Sequence, residues 1–351
     1  MRARDAARRA ALVALGLFVF VLALELLKKG ASGIGPLLHT LRVSGVAGGV
    51  GFGWIMACLV LSGSPVAAIA LTLLASGTLS TRETFAMIGG SRLGASFVVL
   101  AIGVLDDLRS RRTEKRSAYI GVAALVATAI VYLPAMALGL AGLEAGLFGG
   151  LRLEGRDLAS VVARVYGPVL DLAGRFLPRI AVFVAGMLSL LASFRLFDGA
   201  LPDLQGRESP LTRAGRVAYR PWVMFAIGLL VTSMTLSVSV SLSLLVPLAA
   251  KGYVRRENVC PYILGANITT FIDTLFAGAL VGHPDAVRVV VLMMASVTLL
   301  SIPVILLVPY AFERMVDRIA RRATRSTRSL VAFTALLFLV PALLILASAW
   351  R

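Results

Sequence analysis

Five apolar runs, near 10–27, 118–141, 176–200, 287–311 and 329–350, are each long enough to cross a bilayer as one helix. A span needs roughly 17 to 25 such residues at about 1.5 Å rise each. Two further regions, about 46–105 and 221–281, are far too long for one span and are interrupted by Gly, Ser, Pro and charged residues. Each must fold back on itself. With 58% apolar and 15% charged residues, the 351-residue chain lies well outside the range of an ordinary soluble domain and reads as an all-α, multi-pass membrane protein.

The formal charge of +17 does not point to nucleic acid, because the basic residues lie in short runs between apolar stretches. The runs fall at the N-terminus, at Arg109–Arg116, at Arg207–Arg220 and at Arg314–Arg328. The positive-inside rule places all four in the cytoplasm. Lys28 and Lys29, rather than a small-residue cleavage site, follow the first apolar run, so it reads as a mature helix with a cytoplasmic N-terminus. Segment 142–175 nearly balances its charges and reads as an extracytoplasmic loop. Lys28, Lys29 and Arg42 then lie outside, against the rule. The protein is expected in the plasma (inner) membrane.

On this path residues 1–141 start inside and end outside, whereas 176–311 start outside and end inside; 312–351 add a basic cytoplasmic segment and a last helix. Opposite orientation of two halves is the plan of inverted-topology repeats in secondary transporters. The two broken regions align without gaps at an offset of 175 residues. Leu61, Ser62, Ser64, Leu73, Ala75, Gly77, Ile88 and Gly90 fall on Leu236, Ser237, Ser239, Leu248, Ala250, Gly252, Ile263 and Gly265, eight identities over 36 positions. Each unit, about 61–96 and 236–271, reads as a re-entrant helical hairpin with a broken helix at a Gly-rich stretch. Irregular backbone at membrane depth survives only where protein or a watery cavity satisfies its polar groups. Half-helix ends there can hold an anion or a cation.

These residues resemble the sodium-phosphate cotransporter family, whose repeats carry a Gln-Ser-Ser-Ser stretch and, about thirty residues on, a Gly-Ala-Asn-Ile-Gly-Thr-Thr stretch. LSVSVSLSLLVPLAAKGYVRRENVCPYILGANITT (236–270) is similar to the second repeat, LSGSPVAAIALTLLASGTLSTRETFAMIGGSRLGAS (61–96) to the first, and LGLFVFVLALELLKKG (15–30) to the opening helix. The resemblance implies phosphate transport with sodium as the coupling ion, and carries substrate-binding roles to Ser62, Ser64, Ser237, Ser239 and Asn267; Thr269 and Thr270, beside the second break, are expected to join them by their placement. Ser239, Asn267 and Asp273 are the positions expected around the coupling ion. The chain departs from the family where Leu61 and Leu236 replace both Gln residues, Gly63 and Val238 the middle Ser residues, Arg92 the first Asn, and Thr269 a Gly. Leu supplies neither the carbonyl oxygen nor the donors of Gln, so proton coupling, export, another anion, or a non-transporting scaffold or regulator on the same fold stay open.

Arg92 and Asp273 stand out from the residues alone. A charge near the bilayer midplane costs roughly 2.5 to 3.5 kcal/mol on insertion scales and faces a cavity or a partner. Arg92 is therefore expected to grip an oxyanion, for which a guanidinium has the matching forked geometry, or to pair with Asp273 from the other repeat. Gly49 and Gly53 read as a close helix contact. No nucleophile with its base and no metal-ligand spacing is evident, so the chain does not read as an enzyme and no resident cofactor is expected.

Overall fold

The computed structural model describes residues 2–40, 43–109, 116–151, 156–200, 220–235 and 258–348, with scattered positions between 238 and 254. The described residues are overwhelmingly helical. Among the described residues, seven segments are long and apolar enough to span a membrane: Ala7–Pro36, Thr81–Leu108, Ser117–Glu144, Arg179–Phe197, Val259–Val281, Pro284–Leu307 and Thr327–Ser348. This is a multi-pass, all-α membrane architecture.

Helix α1 (Arg2–Thr40) is followed by α2 (Gly45–Val60), α3 (Gly63–Ala75), α4 (Thr81–Ala95) and α5 (Phe97–Arg109). At about 1.5 Å per residue, the 16 residues of α2 and the 13 of α3 reach only about 24 and 20 Å. Neither covers a hydrocarbon core of about 30 Å. The chain reverses between them at Leu61, whose backbone is left-handed (φ 58°), and again at Gly77 (φ 74°) before α4. Ser80 and Glu83 cap α4 reciprocally, and the Glu83 carboxylate also accepts from Gly45 N at 2.8 Å. The start of α2 is thereby tied to the start of α4. A break at Ser96 separates α4 from α5, and the pair together makes one span.

Helix α6 (Arg116–Glu144) returns across the bundle, its first turn capped by Asp107, which accepts from Ser117 N at 3.1 Å and Ala118 N at 2.8 Å. The segment expected to be an extracytoplasmic loop contains helix α7 (Arg156–Phe176). Along it Val165, Val169, Leu172 and Phe176 recur at helical spacing and leave an exposed apolar stripe. Helix α8 (Arg179–Ala200) then packs along α1, where Gly30 and Gly33 lie against the backbone of Phe183 and Ile180.

Helices α9 (Pro221–Thr235), α10 (Val259–Thr269) and α11 (Phe271–Val281) follow, with a break at Thr270. Adding 175 to α2 gives 220–235, against 221–235 for α9; adding it to α4 gives 256–270, against 259–269 for α10. Two glycine contacts recur at the same offset. A Cβ on Gly53 would strike the carbonyl oxygen of Met87, and one on Gly228 that of Tyr262. Likewise Gly90 sits on the carbonyl of Val50 and Gly265 on that of Phe225. Gly49 also meets Glu83 O, at 2.8 Å from an ideal Cβ, so Gly49 and Gly53 do form the close helix contact expected of them.

Helix α12 (Pro284–Leu307), the amphipathic α13 (Pro309–Thr324) and α14 (Thr327–Ser348) complete the chain. One end of the bundle gathers residues 76–83, 144–148 and 283–288, through Thr81 to Asp285 (3.2 Å), the Arg82 to Glu144 ion pair, and Arg288 to the Leu147 carbonyl (2.9 Å). At the other end α13 docks on α6, where Tyr119 donates to Asp317 at 2.6 Å.

Candidate functional site

The site begins with glycines. Gly94 lies against the Trp54 backbone, and an ideal Cβ on Gly63 would stand 2.9 Å from Ser91 O. These close approaches press α4 between α2 and α3 and bury the guanidinium of Arg92, on the last turn of α4, to 4% exposure.

Arg92 then crosses from the first half of the chain to the second. Its Nη1 donates to Ser64 Oγ on α3 at 3.2 Å and to Thr270 Oγ1 at the α10–α11 break at 3.0 Å. Its Nη2 donates to Thr274 Oγ1 on α11. The expected pairing with Asp273 is present but loose, with Nη2 3.9 Å from Oδ1. That is within ion-pair reach and beyond a hydrogen bond. The Phe271 ring lies under the guanidinium, 4.7 Å from its carbon to the ring centroid. Nε meets no hydrogen-bond partner among the described residues.

Asp273 is 9% exposed; its Oδ1 accepts from Thr274 at 2.8 Å, while Oδ2 has no hydrogen-bond partner among the described residues. Asp273 also lines a separate apolar crevice of about 290 Å³, together with Leu17, Phe20, Phe197 and Phe276. A second chain of polar groups runs beside the first. Asn267 Nδ2 donates to Thr128 Oγ1 on α6 at 2.9 Å, and Thr128 accepts from Ser96, at the α4 break, at 3.2 Å. Tyr132, one turn on, donates its hydroxyl to the Asn267 carbonyl at 2.9 Å and stacks on Phe271 at 6.3 Å between ring centroids.

Between these chains lies a small hollow lined by Ser62, Ser64, Arg92, Ser96, Asn267 and Thr270. Its volume, as room for the centre of a water molecule, is about 20 Å³. One water needs roughly 10 to 15 Å³ by that measure, so a tetrahedral oxyanion enters only if the walls part.

Five residues expected at a site from sequence therefore line one hollow: Ser62, Ser64, Arg92, Asn267 and Thr270. Asp273 lies behind the guanidinium. Thr269 is buried nearby with its hydroxyl unpartnered among the described residues, and does not line the hollow. Ser237 and Ser239, like Leu236, lie outside the described residues. Sequence reasoning missed Ser96, Thr128, Tyr132 and Thr274. Thr128 and Tyr132 sit four apart on α6, a polar pair on one face of an otherwise apolar helix. That spacing is the one signal the sequence offers.

No protein-family model, curated protein or solved structure matches this chain.

Proposed function

We propose that this chain is a secondary transporter of a small oxyanion, inorganic phosphate first, built like the sodium-phosphate cotransporters it resembles. In this reading α2–α3 is a re-entrant hairpin, α4–α5 and α10–α11 are broken helices, and the halves related by 175 residues are inverted repeats. The protein sits in the inner membrane with its N-terminus in the cytoplasm, following the basic runs. It moves its substrate without bond-making chemistry.

The observation that carries the reading is Arg92. Its buried guanidinium joins both halves at the two helix breaks, yet hydroxyls rather than a close carboxylate hold it. A structural ion pair would satisfy the guanidinium with a bidentate carboxylate at about 2.8 Å. Neutral partners are easily exchanged for an anion. Alternating access opens the hollow to one side at a time as the broken helices move, with Asn267, Asp273 and Ser239 taken to be the groups nearest a sodium ion.

Labelled phosphate uptake into proteoliposomes, with and without a sodium gradient, tests the proposal. Uptake is expected in the wild type and at least tenfold less in Arg92→Ala. A wild type that accumulates no phosphate under any gradient would overturn the reading, and uptake indifferent to sodium would remove its symport part. The small hollow favours a second reading, a scaffold or regulator that no longer transports. That reading predicts no shift in thermal stability with phosphate, sulfate or arsenate.

A further inference from the structure

We propose that α13 binds anionic phospholipid, its arginines holding the headgroup phosphates. Helix α13 joins two candidate spans, α12 ending at Leu307 and α14 beginning at Thr327, so its 16 residues lie at a single face of the membrane. They are sorted around the helix by type. Phe312, Val316, Ala320 and Ala323 recur every three or four residues and are buried against the bundle. At about 100° per residue, Arg314, Arg318, Arg321 and Arg325 fall on the opposite side. Between these two rows, one flank carries Met315 and Ile319, 43% and 37% exposed, and the other carries Glu313 and Asp317.

The flanks decide what this surface meets. On the acidic side Asp317 is used within the protein, accepting from Tyr119 of α6 at 2.6 Å and pairing with Arg321 at 2.7 Å. Among the described residues, Arg314, Arg318, Arg322 and Arg325 have no carboxylate within ion-pair reach. Side chains three or four apart on a helix are neighbours, so Arg318, Arg322 and Arg325 form one cationic strip, with Met315 and Ile319 beside it. Leu306 and Leu307, exposed at the end of the α12 span, add apolar surface at the same face. Arginines in any order would satisfy the positive-inside rule. Their separation from the acids, next to an open apolar flank, suits a surface that offers acyl chains and negative charge together. A guanidinium matches phosphate oxygens in a forked geometry. Free phosphate lacks the apolar part, and a zwitterionic lipid sets its own cation against the arginines.

The test is displacement of a fluorescent phosphatidylglycerol from the full-length protein in neutral detergent by unlabelled phosphatidylglycerol, phosphatidylcholine or inorganic phosphate. In the wild type, phosphatidylcholine is expected to compete at least about tenfold less well than phosphatidylglycerol, and inorganic phosphate not at all over the same range. Each arginine near an anionic surface is worth about fivefold, so Arg318→Gln/Arg322→Gln/Arg325→Gln is expected to bind phosphatidylglycerol at least about tenfold more weakly. Arg164→Gln/Arg175→Gln/Arg179→Gln removes the same charge from exposed positions on α7 and α8 and is expected to stay within about twofold of the wild type. The wild-type competition decides without any variant: equal displacement by phosphatidylcholine, or by inorganic phosphate, overturns the proposal. So does an equal loss in the two triple variants, which would assign the binding to net charge. A wild type that holds no phosphatidylglycerol leaves the arginine face to an acidic protein and overturns it as well.

Discussion

Replacing Arg92 and Asp273 singly and together measures how strongly the two halves are held at their junction. With charges 3.9 Å apart, the attraction is about 4 kcal/mol at an effective dielectric of 20. Asp273→Leu removes the counter-charge but leaves the guanidinium its three hydroxyl acceptors and the Phe271 face, so the loss lies near the low end of the 3–5 kcal/mol typical of a broken buried pair, about 3 kcal/mol. Arg92→Met leaves a carboxylate that still accepts from Thr274 but has lost its cation, and it can escape full charge only by taking up a proton. Its loss is about 3 to 4 kcal/mol. The double variant Arg92→Met/Asp273→Leu strands no charge and is expected to be more stable than either single variant. The coupling energy is then at least about 3 kcal/mol. Unfolding in mixed micelles titrated with SDS, followed by Trp54 fluorescence, reads it; Trp54 is buried beside Gly94, within this core. Single effects that sum to the double within about 0.5 kcal/mol would refute the claim that the two charges are energetically coupled.

Gly228→Ala and Gly53→Ala each drive a methyl into a backbone carbonyl, which cannot swing aside, so each is expected to destabilise by about 1 to 3 kcal/mol in the same unfolding assay, and by similar amounts. Thr128→Val strips the partner of both Ser96 and the buried Asn267 amide; a loss of about 1 to 3 kcal/mol and a sharp drop in phosphate uptake are expected. Tyr132→Phe, which removes one bond to the Asn267 carbonyl, should lose only about 1 kcal/mol. Sidedness follows from the fold. Cys58 and Cys260 are buried, so a membrane-impermeant maleimide should report introduced cysteines against a silent background. Ser76→Cys and Phe148→Cys should label from one face of the membrane and Ser326→Cys from the other; labelling of all three from one face would contradict the spans.

Hydropathy makes the simple spans readable because a bilayer demands a long apolar run and little else satisfies it. Arg92 is readable for the converse reason: a guanidinium within such a run stands out, and burial among hydroxyls is one of the few ways to keep it there. Ser62, Ser64, Asn267 and Thr270 are reached through the resemblance and the internal offset, not through their chemistry, since single hydroxyls in apolar helices usually serve packing. Thr128, Tyr132 and Thr274 stay hidden on the same ground. Their role arises from meeting Asn267 and Arg92 across helix interfaces, of which the four-residue spacing of Thr128 and Tyr132 is the one local trace. In segment 156–176 charge balance bears on the side of the membrane and not on local structure, and the stripe of Val165, Val169, Leu172 and Phe176 is what betrays the helix.

The charges on the two halves make sense only when taken together. Where the family resemblance leads one to expect a neutral Asn, the first half carries Arg92, and its paired carboxylate comes from the second half. Either charge alone in this setting would be a large penalty. As a pair they are close to neutral, yet at 3.9 Å they are not locked together. A neutral pair that is not closed leaves one buried donor, Arg92 Nε, and one buried acceptor, Asp273 Oδ2, without a hydrogen-bond partner among the described residues. On the proposed transporter reading, the guanidinium would bring its own positive charge to a bound anion, so less of the balancing charge would have to come from a cation.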